Sequence, residues 1–84
     1  MAFKIVLAPS AQKEFDKLSP EVRRKVRSVV EDLKASPFIG KKPKAEYAGN
    51  WTVRVWPYRV MYKIFQDSRV VYVVRIRHRK DAYR

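Results

Sequence analysis

The chain has 84 residues, with 20 Lys and Arg against 8 Asp and Glu, a formal net charge of +12 at pH 7. That length holds one small core, so a single domain over 1–84 is expected, and a hydrophobic share of 46% is ordinary for a globular fold. With no cysteine and one histidine, disulfides, thiolate metal sites and a zinc-type cluster are excluded, and no apolar run reaches the roughly 18 residues of a membrane-spanning helix.

The opening MAFKIVLAPSAQ is too short and too mixed for a signal peptide, so a cytoplasmic protein is expected. Within it, Phe3 to Leu7 is β-prone and closes at Ala8 and Pro9. SAQKEFDKL then spaces Ala11, Phe15 and Leu18 four and three apart, the apolar stripe of a short helix. Ser19-Pro20-Glu21 restarts the chain as a second helix: a capping serine, proline at the first helical position, and an acid at the positive end of the dipole. Val22, Val26, Val29, Val30 and Leu33 carry its helical period, and Pro37 disfavours helix beyond Ser36. FIGKKPKAEYAGN holds both glycines and reads as one long surface loop, of a length that is often functional.

Three β-prone runs follow: Trp51 to Trp56, Tyr58 to Phe65, and Val70 to about Arg77, separated by turns at Trp56-Pro57 and Gln66-Asp67-Ser68. The predicted fold is α+β: an N-terminal strand, a two-helix hairpin, then a three-stranded antiparallel meander packed on the helices. Alternation assigns the faces. Val70, Tyr72, Val74 and Ile76 are expected to face the helices with Val53, Val55, Val60 and Tyr62. The other parity carries Arg54, Arg59, Lys63, Arg75, Arg77 and Arg79, interleaved with Trp56, Met61 and Phe65. The only acids in residues 51–84 are Asp67 and Asp81, so the strands supply no counter-charge on that face. Like charges side by side on a sheet repel, and their use is to meet phosphates, with aromatics to stack on bases. Nucleic acid is the expected partner.

TVRVWPYRVMYKI resembles the central hairpin of the RelE/ParE toxin superfamily, VRIRHRKDAYR resembles its closing strand, and KIVLAPSAQKEFDKLSPEVRRKV resembles its opening strand and helical hairpin. The likeness implies the toxin of a type II toxin–antitoxin pair, inhibited by an acidic antitoxin. RelE-like members cleave mRNA in the ribosomal A site without metal or cofactor, through attack of the ribose 2′-hydroxyl on the adjacent phosphorus. ParE-like members share the fold and poison DNA gyrase, and an inactive RNA-binding module is the third reading. Position by position, the likeness implies Arg54, Arg59, Arg79 and Tyr83 as the catalytic set. It departs at Thr52, where one subgroup carries a lysine, and at Trp56-Pro57, where a Gly-Asp turn is usual.

Arginine suits the charge that builds on phosphorus, because its guanidinium fork holds two phosphoryl oxygens and stays charged. Tyr83 is expected to stack on a base. Lys41, Lys42, Lys44, Lys63, Arg75, Arg77 and Lys80 are expected to contact RNA. Histidine is the residue type most often used as a general base, which makes His78 the tempting candidate. Parity nonetheless sends it to the side opposite Arg77, so a structural role is expected.

Overall fold

Pro9 and the Ser19-Pro20 pair begin the two helices at the expected points. In the computed structural model, which describes residues 2–44 and 49–80, strand β1 (Lys4–Leu7) leads into α1 (Pro9–Asp16) and α2 (Pro20–Ala35). The Ser19 hydroxyl accepts from the Val22 amide at 3.3 Å, and Glu21 lies in the first turn of α2. Ser36 leaves helical space, at φ −141° and ψ 76°, because it precedes Pro37. A single 3₁₀ turn, Pro37–Ile39, then delivers the chain to the sheet.

Strands β2 (Lys41–Lys44), β3 (Asn50–Val55), β4 (Tyr58–Phe65) and β5 (Val70–His78) join β1 in one sheet of order β1-β5-β4-β3-β2. β1 runs parallel to β5, and the other pairings are antiparallel. The meander is therefore flanked by a strand on each side, and β2 corrects the expectation of an irregular loop. KKPK has little β propensity, and only the free edge of β3 recruits it, with Lys41 opposite Thr52 and Lys44 opposite Asn50. Pro43 is tolerated because the strand is an edge, where a missing amide donor breaks no ladder. Its lysines also discourage further pairing.

The helices cover one face of the sheet. Val26 and Leu33 of α2, with Ala11 and Leu18, meet Val55, Val60, Tyr62, Val71, Val73 and Ile76 in one buried cluster. Here β5 departs from the sequence reading. Met61 pairs with Arg75 and Tyr62 with Val73, so the register slips at Val74. This bulge flips the parity of the strand. Val71 and Val73, expected on the far side, are fully buried in the core, while Val70 and Tyr72 pair with Phe65 and Lys63 on the face turned away from the helices. Beyond the bulge, Arg75, Ile76 and Arg77 fall on the sides expected of them.

Gly40 marks the closest approach between the 3₁₀ turn and the sheet. A Cβ there would lie 2.5 Å from the Thr52 carbonyl oxygen and closer still to the Tyr62 hydroxyl. The carbonyl belongs to the β3 backbone and cannot swing aside. Gly40→Ala is accordingly expected to destabilise the fold by about 1–3 kcal/mol through overpacking. Thermal unfolding followed by circular dichroism reads this as a lower midpoint. An unchanged midpoint would show that the turn yields freely.

Candidate phosphate-binding site

Cross-strand register assembles the site. Arg54 on β3 pairs with Arg59 on β4, and Arg59 pairs with Arg77 on β5, so three arginines form one row across the face opposite the helices. Neighbouring strands lie about 4.8 Å apart. Two unit charges about 5 Å apart repel by about 1 kcal/mol in water and about 3 kcal/mol at an effective dielectric of 20. The mutual repulsion of like charges in such a row costs free energy, and an anion above it offsets that cost. The row is also uneven in depth. Arg54 is exposed, whereas Arg59 is only 7% exposed, so the face expected to be open is sunken at its centre.

The end of β5 brings in a fourth arginine. Arg79 lies in the turn after the strand, where its amide donates to the Pro57 carbonyl at 2.8 Å. Its guanidinium stands 5.0 Å from the centre of the Trp56 ring, a cation–π contact with an indole that is 59% exposed. Tertiary contact with the β3–β4 turn, rather than strand alternation, therefore sets the place of Arg79. Together Arg54, Trp56, Pro57, Tyr58, Arg59, Arg79 and Lys80 line a depression of about 310 Å³. Four of these are cations, and no acid is found among the described residues that line it. A concave, cationic site with aromatic walls can hold a phosphate and stack a flanking base, the latter worth about 1–3 kcal/mol.

The matching family model is described as the ParE toxin of the parDE type II toxin–antitoxin system, and it spans residues 5–83. The chain belongs to the RelE/ParE toxin superfamily. Toxin RelG of Mycobacterium tuberculosis is 32% identical over 89 residues, an alignment covering all of this chain and 99% of RelG. The toxin–antitoxin complex RelBE2 of M. tuberculosis contains a chain that superposes with a TM-score of 0.77 at 28% identity, covering 93% of this chain and 99% of that one. An E. coli RelE variant in the free state superposes with a TM-score of 0.80, covering 99% of this chain and 92% of its own. At 22% identity, that last likeness speaks to the fold alone.

In this RelE/ParE toxin, Arg54, Arg59 and Arg79 come together around one depression, and Lys80 joins them. Tyr83 lies outside the described residues, as does the side chain of Lys44. Lys63 is exposed on the same face of β4, opposite Tyr72. Lys41 and Lys42 are exposed on the edge strand β2, away from the depression. Thr52, at the position where a lysine is found in one subgroup, is fully buried.

His78 falls on the side opposite Arg77, as parity indicates. It pairs with Tyr58, their rings meeting edge to face at 5.2 Å. Its Nδ1 accepts from the Lys80 amide at 3.2 Å, which commits the neutral ring to carrying its proton on Nε2. The histidine thus ties down the turn that carries Arg79 and Lys80.

Arg75 and Arg77 meet a counter-charge that the strand sequence does not reveal. The strands hold no acid beside them, but α1 does. Glu14 Oε2 accepts from Arg75 Nε at 3.2 Å and Nη2 at 3.0 Å, and it lies 3.9 Å from Arg77 Nε. Glu14 falls three residues after Ala11 and four before Leu18, inside the apolar stripe of the helix. A carboxylate at such a position is a sign of a buried partner, and it is the signal that could have found this pair. Strand alternation could not have done so, because the acid comes from another element.

Proposed function

We propose that this toxin is a ribosome-dependent endoribonuclease that cleaves mRNA in the A site and so inhibits translation in the cytoplasm. The observation that carries the reading is the convergence of Arg54, Arg59 and Arg79 on one cationic depression beside an exposed indole. No step needs a metal or cofactor. The ribose 2′-oxygen loses its proton and attacks the adjacent phosphorus. The bond from phosphorus to the 5′-oxygen breaks, leaving a 2′,3′-cyclic phosphate and, once the leaving oxygen is protonated, a 5′-hydroxyl.

Within this scheme Arg59 and Arg79 clamp the non-bridging oxygens, whose charge grows as the fifth bond forms. Arg54, exposed at the rim, orients the scissile phosphate or stabilises the leaving oxygen. A guanidinium keeps its proton at neutral pH, so arginine as a residue type makes a poor base. Tyr83 is assigned to stack on a base beside the cleaved bond. Lys41, Lys42, Lys44, Lys63 and Lys80 extend contacts along mRNA and ribosomal RNA. With so modest an acid–base set, catalysis rests on positioning, to which the ribosome contributes. The solved RelBE2 complex pairs its toxin with an antitoxin. We assign to this toxin a cognate acidic antitoxin whose amphipathic segment covers the same cationic surface.

The description of the family model as a ParE toxin favours one other reading, gyrase inhibition without nuclease chemistry. Translation in vitro with mapping of mRNA ends separates the two. New 5′-hydroxyl ends at A-site codons, absent without ribosomes, support the nuclease. Intact mRNA together with DNA breaks in a gyrase assay would sink it.

A further inference from the structure

Among the described residues, Glu14 is the acid that forms ion pairs with the arginines of β5. Its surroundings form an anion cradle. One carboxylate oxygen, Oε1, accepts from the Ile76 amide at 2.8 Å. The other accepts from two nitrogens of the Arg75 guanidinium and faces Arg77 Nε. Two guanidinium groups and a backbone N–H converging on a pair of oxygens is the donor set by which proteins bind a phosphate.

The fold explains why the cradle exists. β1 pairs with β5 only as far as Val73, so the edge of β5 beyond it has no strand partner. α1 takes over that edge. The Ala8 amide donates to the Val73 carbonyl at 2.8 Å, and the Ser10 hydroxyl donates to the Val74 carbonyl at 3.2 Å. Glu14 then satisfies the Ile76 amide, with its side chain 22% exposed against 40% for Arg75. The carboxylate thus completes the bulged edge and offsets the charge of Arg75 and of the Arg77 end of the arginine row in one contact.

We propose that Glu14 is an internal stand-in for a phosphate, which occupies the Arg75–Arg77 cradle and confines RNA phosphates to the neighbouring Arg54–Arg59–Arg79 site. It is a positioning residue for specificity, since it keeps the substrate backbone from a competing register one strand away. The proposal rests on the reading above only in taking RNA as the polyanion.

Glu14→Gln tests it, because glutamine keeps an oxygen to accept from Ile76 and loses the charge that holds the arginines. The readout is the salt dependence of binding to a single-stranded RNA oligomer, whose slope counts phosphates engaged at about 0.7 each. The variant is expected to fold as the parent does, by circular dichroism, and to steepen the slope by about 0.7 to 1.4. Adding Arg75→Gln and Arg77→Gln to Glu14→Gln is expected to return the slope to the parent value. A Glu14→Gln slope equal to the parent's overturns the proposal, as does a steeper slope that the added changes leave in place.

If Glu14→Gln does not fold, phenylglyoxal footprinting of the unaltered protein decides, with modified arginines located by mass spectrometry. RNA is expected to protect Arg54 and Arg79 and to leave the reactivity of Arg75 unchanged. Protection of Arg75 by RNA would mean that phosphate displaces Glu14, and it overturns the proposal. A parent protein that binds no RNA at low salt counts against the nuclease reading instead. The same slope comparison on heparin then tests the cradle by itself.

Discussion

Replacing Arg79 with alanine is expected to lower the proposed ribosome-dependent mRNA cleavage by about 100- to 1,000-fold, the loss that follows when one preorganised donor to a developing negative charge is removed. The residue suits a clean test, because it is exposed and lies outside the strands, so the core is untouched. Its place is fixed twice, by the amide contact to Pro57 and by the indole of Trp56 beneath its guanidinium. Such fixing matters because a donor held in position loses little entropy when the phosphorane forms. Arg79→Lys keeps the charge but loses both the two-pronged grip and the flat face that stacks on Trp56. It is therefore expected to recover only part of the rate. Single-turnover cleavage on stalled ribosomes, with saturating toxin, separates this loss from weakened binding. Activity in Arg79→Ala within a few-fold of the parent would remove Arg79 from the catalytic set.

The largest effect on stability is expected at Tyr62. It is fully buried in the middle of β4, with its ring stacked on Trp51 at 6.3 Å between centroids. Its hydroxyl donates to the Pro37 carbonyl at 2.7 Å and accepts from the Gly40 amide, so one side chain fastens the turn after α2 to the sheet. Tyr62→Ala leaves a cavity and orphans that carbonyl, at a cost of about 3–5 kcal/mol. Small domains have only about 5–15 kcal/mol in hand, so urea denaturation should find this variant close to unfolded. Tyr62→Phe loses the hydroxyl alone, for about 1–3 kcal/mol from the unsatisfied Pro37 oxygen.

The same hydroxyl gives a pH signature. Burial pushes the Tyr62 hydroxyl above its usual value, an effect only partly offset by the Gly40 amide. A group whose value is raised by folding contributes stability that is full below its unfolded value, about 10, and that is lost as pH rises through the folded one. The stability gap between the parent and Tyr62→Phe should therefore be constant from pH 7 to about 9 and narrow above about 10. A gap that stays constant into the alkaline range would mean that the hydroxyl titrates as it does in the unfolded chain.

Much of the architecture was legible because it is written in local pattern. Ser19 and Pro20 mark a helix start through groups within one turn of each other, and the β-branched and aromatic runs fix β3, β4 and β5 to within about a residue. The arginine row was legible for the same reason, since Arg54, Arg59 and Arg77 occupy alternating positions near a predicted turn. β2 was not legible. Lys41 to Lys44 have no preference for a strand, and what places them there is the unpaired edge of β3.

The bulge at Val74 was equally hidden. VVYVVRIR contains no glycine or proline to announce a change of parity, and the slip is held by Ser10 and Glu14 of α1. Reading alternation straight through the strand put Arg75 and Arg77 on their observed face but exchanged Val71 and Val73 with Val70 and Tyr72. The sequence by itself determined the order of the elements and the set of cations the site draws on, because residue type and short-range spacing decide both. Only the tertiary structure decided which cations are available to a phosphate. Arg59 is sunk, Arg79 rests on Trp56, and Arg75 is held by an acid 61 residues away along the chain. Each of these depends on which strand edge a distant helix comes to cover, and no local period records that.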